Sequence, residues 1–176
     1  LKDQVRDEHW YRAIESQMAK AAIKIRISRK EALRLVDEAQ ECSETIFPSA
    51  HLELVNAEDV EMPTNSQDLA ELFSQYRKRD IIVGRTLLGP HRDDLYGIFS
   101  DKNIPAKDSS TGEQKALLIS LILANCRALK EKTGTTPLLL LDEVAAHLDS
   151  NRREALYDEI CALGAQAWLT GTGPEL

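Results

Sequence analysis

Leu138-Leu139-Leu140-Leu141-Asp142-Glu143 is the stretch on which the fold of this chain turns. Its four leucines, set between Pro137 and two carboxylates, read as a strand buried on both faces of a parallel sheet. The acidic end then lies at the carboxyl edge of that sheet, where open α/β folds bind their ligands. Two adjacent acids at such an edge suit one to hold Mg²⁺ and the other to polarise a water.

The flanking segments supply the rest of an α/β unit. Thr111 to Lys130 has helical spacing and is stopped by Gly134, while Tyr96 to Ser100 and Ile104-Pro105 form a β-hairpin about Asp101-Lys102-Asn103. Downstream, Arg152 to Leu163 reads as a helix with Gly164 as its C′ residue, followed by the short strand Ala167-Trp168-Leu169-Thr170. Nearer the start, Asp68 to Arg79 reads as a helix with Leu69, Leu72, Phe73 and Tyr76 inward, and His51 to Val55 alternates like a strand with one wet face. The first Pro is Pro48 and the first Gly is Gly84, so the opening favours long helices. Trp10, Ile14, Met18, Ala21 and Ile25 make a stripe for a partner helix, continued less regularly by Leu33, Val36 and Ala39. Unbroken to Ile46, that helix would run roughly 65–70 Å at about 1.5 Å per residue, so an arm or a kinked helical hairpin is expected. The predicted architecture is α/β, with a mainly helical arm over residues 1–80 and a head over residues 81–176.

At 176 residues the chain is long enough for one domain or one and a half, with a real core. No apolar run reaches the ~18 residues of a membrane span. Leu1-Lys2-Asp3-Gln4 has neither an initiator Met nor a signal-peptide pattern, which reads as the interior of something longer. Cys42, Cys126 and Cys161, odd in number and widely spaced, read as buried reduced thiols of a cytosolic protein. The net charge of −7 argues against indiscriminate nucleic-acid binding. That charge is uneven, because Leu35 to Tyr76 holds no Lys or Arg, whereas Lys20, Lys24, Arg26, Arg29, Lys30 and Arg34 face only Glu31. The basic run is either a local patch for phosphates or a solvated helix face.

Ser109-Ser110-Thr111-Gly112-Glu113-Gln114-Lys115 opens a helix, with Ser110 and Glu113 at capping-box spacing. Such an N-terminus exposes free amides and the positive end of the dipole, which is either an ordinary cap or an anion site. About thirty residues on come the leucine strand with Asp142-Glu143 and then Leu148-Asp149. The order of these three elements resembles the ABC-type ATPases, whose P-loop NTPase head carries a signature motif, a Walker B strand and a D-loop (here Ala146-His147-Leu148-Asp149). The resemblance implies that Asp142 holds Mg²⁺ and that Glu143 is the general base. It also implies that Ser110 and Gly112, with Glu113 in the same turn, face the γ-phosphate of ATP bound to another subunit, and that Asp149 helps join the two subunits.

Gly89-Pro90-His91-Arg92-Asp93-Asp94-Leu95, the string from Thr111 to Gly134 and the string from Leu138 to Ile160 further resemble the RecF family of bacterial DNA-repair proteins. That likeness is clear from Ile81 to Thr172 and thinner before it. It implies ATP-driven homodimers that act on single-stranded and gapped duplex DNA and support RecA loading with RecO and RecR. The arm residues Lys24, Arg26, Arg29 and Lys30 would then touch DNA. His91 and Arg92 beside Asp93 and Asp94 are either an internal ion-pair network or a surface for DNA or nucleotide.

The chain departs from that pattern in several places. No Gly-x-x-x-x-Gly-Lys-Ser/Thr occurs; Gly84 and Gly89 have the glycine spacing but run on into Pro90-His91. Ser109 stands where the signature usually has Leu, Thr111 where many transporters have Gly, and Thr170-Gly171-Thr172 where many ABC proteins carry a switch His. ATPase activity is therefore expected of the full-length protein and not of this chain alone. A non-catalytic module that binds DNA or a partner is the alternative, as is another SMC-like ATPase, although residues 1–46 are short for that group's coiled coils.

Overall fold

The computed structural model describes residues 7–56, 60–144 and 148–171. They divide into two compact units, Leu1–Glu31 with Leu54–Leu95 and Ala32–Glu53 with Tyr96–Leu176. The boundary expected between residues 80 and 81 falls inside a helix, α2 (Ser66–Val83), which runs on through Ile81 and Ile82 to a left-handed cap at Gly84.

α1 (Glu8–Glu41) is one uninterrupted helix of 34 residues, about 51 Å at ~1.5 Å per residue, so of the two expected forms, an arm or a kinked hairpin, it is not the kinked one. Nothing in it breaks a helix, and Asp7 caps its start by accepting from the amides of His9 (2.9 Å) and Trp10 (3.3 Å). Over its first half the buried stripe is rotated from the expected one, while further on Val36 and Ala39 are buried and Leu33 half-buried as expected. Glu15, Ala19 and Ala22 are inward, Ile14 and Met18 lie half-buried beside them, and Trp10, Ala21 and Ile25 are exposed. The reason is steric: the two alanines admit Leu69 and Phe73 of α2, with Met62 and Leu88 completing this unit's core. Glu15 is tolerated there because Arg77 of α2 grips it with two bonds, Nε to Oε1 at 2.6 Å and Nη2 to Oε2 at 2.8 Å.

The second unit is organised around α3 (Thr111–Thr133). One side of α3 places Ala116, Ile119, Leu123 and Cys126 against β4 (Leu139–Leu141) and α4 (Ser150–Leu163), through Leu139, Leu141, Leu156 and Ile160. Its other side places Leu117, Ala124 and Ala128 with Val36, Ala39, Leu52 and Phe99. A small sheet runs in the order β1 (Ala50–Asn56), β2 (Asp93–Phe99), β3 (Ile104–Pro105), with β2 and β3 forming the expected antiparallel hairpin.

β4 pairs in parallel with β5 (Ala167–Leu169), as its leucines suggested, but it is buried on one face only. Leu139 and Leu141 are 6% and 3% exposed, whereas Leu140 is 72% exposed and its register partner Trp168 is 65% exposed. The helices that pack on this strand among the described residues cover a single side, so the pleat alternates where a doubly covered strand would not. The cysteines also differ from expectation: all three are free thiols, but only Cys126 is buried while Cys42 and Cys161 are exposed. Among the described residues no helix is long and apolar enough to cross a membrane.

Candidate functional site

Asp142 and Glu143 follow directly on β4, at the carboxyl end of the parallel pair, and both side chains are exposed. The register sets Leu139, Leu140 and Leu141 against Ala167, Trp168 and Leu169, and one further ladder bond runs from the Thr170 amide to the Leu141 carbonyl at 3.1 Å. Thr170 is thereby brought level with Asp142. Its hydroxyl donates to Asp142 Oδ1 and accepts from the Glu143 amide at 3.0 Å. Glu143 has φ +51, a left-handed conformation that costs a non-glycine residue roughly 1–2 kcal/mol and here needs outside support.

These residues suit Mg²⁺. No group of three or more metal-ligating side chains occurs among the described residues, and a caged divalent site would need one. Mg²⁺ commonly keeps its waters and takes only one or two carboxylates plus substrate phosphates. Asp142 can serve that role, because Thr170 occupies Oδ1 and leaves Oδ2 open.

A second cluster sits at the N-terminus of α3. Ser110 is its N-cap, and the capping box is complete: Glu113 Oε2 accepts from the Ser110 amide at 3.0 Å and from its hydroxyl at 2.9 Å. Lys102, in the hairpin turn, donates to Glu113 Oε1. The Lys102 ammonium, followed by the Ser110 amide and hydroxyl, lowers the Glu113 carboxyl from its ordinary 4.5 to about 2. Gly112, in the first turn, is needed by nothing among the described residues, since a Cβ there would meet no atom of theirs within 4 Å. Alanine would favour the helix by about 1 kcal/mol, so the packing does not explain the glycine. Asp149 caps α4 by accepting from the Arg152 amide at 2.9 Å, which starts that helix at Ser150 rather than at Arg152. Ala146 and His147 of the expected D-loop lie outside the described residues.

The four basic residues named for DNA are not equivalent. Arg26 donates to the Met62 carbonyl at 3.4 Å, and Arg29 donates to the Pro90 carbonyl and pairs with the buried Asp93 at 3.5 Å. Both therefore serve the fold of their unit, whereas Lys24 and Lys30 are exposed. Asp93 thus pairs with α1 rather than with His91 or Arg92, its neighbours in the turn. His91 instead bonds the Thr86 carbonyl at 3.0 Å. Gly89 is obligatory in that turn, with φ +131 and a hypothetical Cβ only 3.2 Å from His91 Nδ1.

The sequence reading missed Thr170 as a site residue, treating it only as a replacement for a histidine. It also missed Lys102, whose alternating position in a hairpin turn gives no hint that it reaches Glu113.

No protein-family model matches the chain. It is 47% identical over 174 residues to the DNA replication and repair protein RecF of Rhizobium leguminosarum bv. trifolii (strain WSM2304), covering 94% of this chain and 46% of that protein. It is 45% identical over 177 residues to the RecF of Allorhizobium ampelinum, covering 97% of this chain and 47% of that protein. The chain is a relative of RecF along nearly its whole length. It spans about half the length of the curated RecF proteins it matches. In fold it matches a solved structure described as the recombination mediator protein RecF-ATP in the RecFOR pathway, with a TM-score of 0.74 at 22% identity. That match covers 100% of this chain and 48% of the solved RecF chain.

Proposed function

We propose that the chain is the C-terminal, signature- and acid-bearing part of a RecF-type DNA-repair ATPase that acts in the cytoplasm. The observation that carries this reading is the Asp142–Thr170–Glu143 arrangement at the carboxyl end of β4, in a chain that shares nearly half its residues with RecF proteins. In the full-length polypeptide (this chain within a sequence of its relatives' length), bound Mg-ATP supplies the phosphoanhydride to be cleaved and a divalent charge to stabilise it. Asp142 offers its open oxygen to the metal. Glu143, exposed and just beyond it, orients an attacking water and takes its proton.

Ser110, Gly112 and the free amides of α3 offer hydrogen bonds and the helix dipole to a triphosphate held by a second copy, with Glu113 fixing the turn. The open space beside Gly112 supports an approach from outside the chain. Asp149, at the start of α4, stands near the junction of the two copies. Binding across the junction makes ATP a linker, so dimers persist until hydrolysis. The dimer closes on single-stranded and gapped DNA and works with RecO and RecR to load RecA, with exposed Lys24 and Lys30 as the arm's phosphate contacts and Arg26 and Arg29 holding the arm's shape.

The test is Glu143→Gln in the full-length polypeptide. Dimers formed with Mg-ATP are expected to persist at least tenfold longer than wild type, with nucleotide affinity unchanged, because removing a water-orienting base slows hydrolysis by roughly 10²–10⁴. Loss of ATP binding in this variant would contradict the role given to Glu143.

A further inference from the structure

We propose that Thr170 is a positioning residue for the acid pair, setting both the free oxygen of Asp142 and the backbone of Glu143. This rests on the reading of Asp142 and Glu143 given above. An amide N–H can only donate, so the Thr170 oxygen must accept from Glu143, and its own proton is then free to go to Asp142. The chain of donors is thus fixed in one direction, from the Glu143 amide through Thr170 to Asp142 Oδ1. Two consequences follow from it. Oδ1 already shares its electron density with the Thr170 proton, so Oδ2 is the better-placed oxygen for a cation. The left-handed Glu143, whose φ is +51, is tied at its amide to a residue 27 positions away, just past the end of β5. The carboxylate therefore leaves the strand in a direction that the end of β4 alone does not determine.

β5 supplies this contact because the Thr170 amide is locked to the Leu141 carbonyl at 3.1 Å, one step beyond the last paired residues. Thr170 stands where many ABC-type proteins place a histidine. Here that residue bonds both acids, Asp142 through its carboxylate and Glu143 through its amide.

Thr170→Val keeps the shape of the side chain and removes both hydrogen bonds, and Thr170→Ser keeps the hydroxyl. In the full-length polypeptide, Thr170→Val is expected to lower ATP turnover by about ten- to a hundredfold, the scale of a hydrogen bond to a charged group. KM for ATP should stay within about twofold, and the Mg²⁺ concentration giving half-maximal rate should rise; Thr170→Ser should restore all three towards wild type. Amide hydrogen exchange provides a readout independent of activity: the Glu143 amide should exchange at least tenfold faster in the Val variant, with the melting temperature unchanged because Thr170 is exposed. Unchanged exchange and turnover in Thr170→Val would overturn the proposal. So would a turnover loss accompanied by a general fall in melting temperature, which is what a merely structural residue would produce. If even the wild type fails to hydrolyse ATP, the reading of the acid pair fails, and the exchange of the Glu143 amide still decides whether Thr170 holds it.

Discussion

The Ser110 hydroxyl spends its one proton on Glu113 while accepting from the Glu113 amide, so it must turn that proton away from the Glu113 carboxylate to donate to a phosphate. Lys102 keeps Glu113 ionised and in place, and this makes the turn sensitive to acid. Glu113 has a folded-state pKa of about 2, below its ordinary 4.5, so its contribution to stability is present above about pH 4.5 and is lost as pH falls towards 2. Glu113→Gln should remove that part of the pH dependence, which urea unfolding followed between pH 2 and pH 5 would detect. A variant with the wild-type slope would show that the Lys102 pair is not made in solution. At this scale the sequence is legible where the chemistry is local. Ser110 with Glu113 at capping spacing, and Asp142 beside Glu143, need only neighbouring residues. The Thr170 contact needs the register of β4 against β5, which brings together residues 28 apart, and no spacing rule expresses that. The thiols illustrate the same limit, because composition cannot tell that Cys126 faces the core while Cys42 and Cys161 face water.

Among the elements, helices with strong local punctuation were readable almost to their ends. α3 begins at its capping box and stops at Gly134, and α4 stops at Gly164. For α1 an arm or a kinked hairpin was expected, and it is one continuous helix because nothing in its sequence interrupts it. Over its first half the buried stripe was misplaced because large apolar residues were favoured over Ala19 and Ala22, which let α2 approach. β4 was recognised as a strand but given two buried faces, since four consecutive leucines carry no alternation to read. Adjacent leucines of one strand should therefore respond very differently to truncation in this chain. Leu141→Ala should cost about 2–5 kcal/mol, and Leu140→Ala within about 0.5 kcal/mol of nothing. Chemical denaturation of the two variants measures the difference directly. Equal costs would mean that the second face of the strand is covered as well.

For the molecule as a whole, the order of the motifs carried the fold class, because a signature turn, a leucine strand ending in two acids and a capped helix follow one another in the order of ABC-type heads. The division into compact units was not legible, since α1 and the strands β1 and β2 each pass from one unit to the other without any break in composition. These 176 residues hold no Gly-x-x-x-x-Gly-Lys-Ser/Thr loop, and in the proposed function Ser110 meets a nucleotide held by a second copy. The most direct measurement is native mass spectrometry of the full-length polypeptide with and without Mg-ATP, wild type beside Ser110→Arg. The wild type is expected to be a dimer only with Mg-ATP, and Ser110→Arg a monomer that still carries one ATP. A Ser110→Arg protein that dimerises on ATP as well as wild type would contradict the proposed role of Ser110.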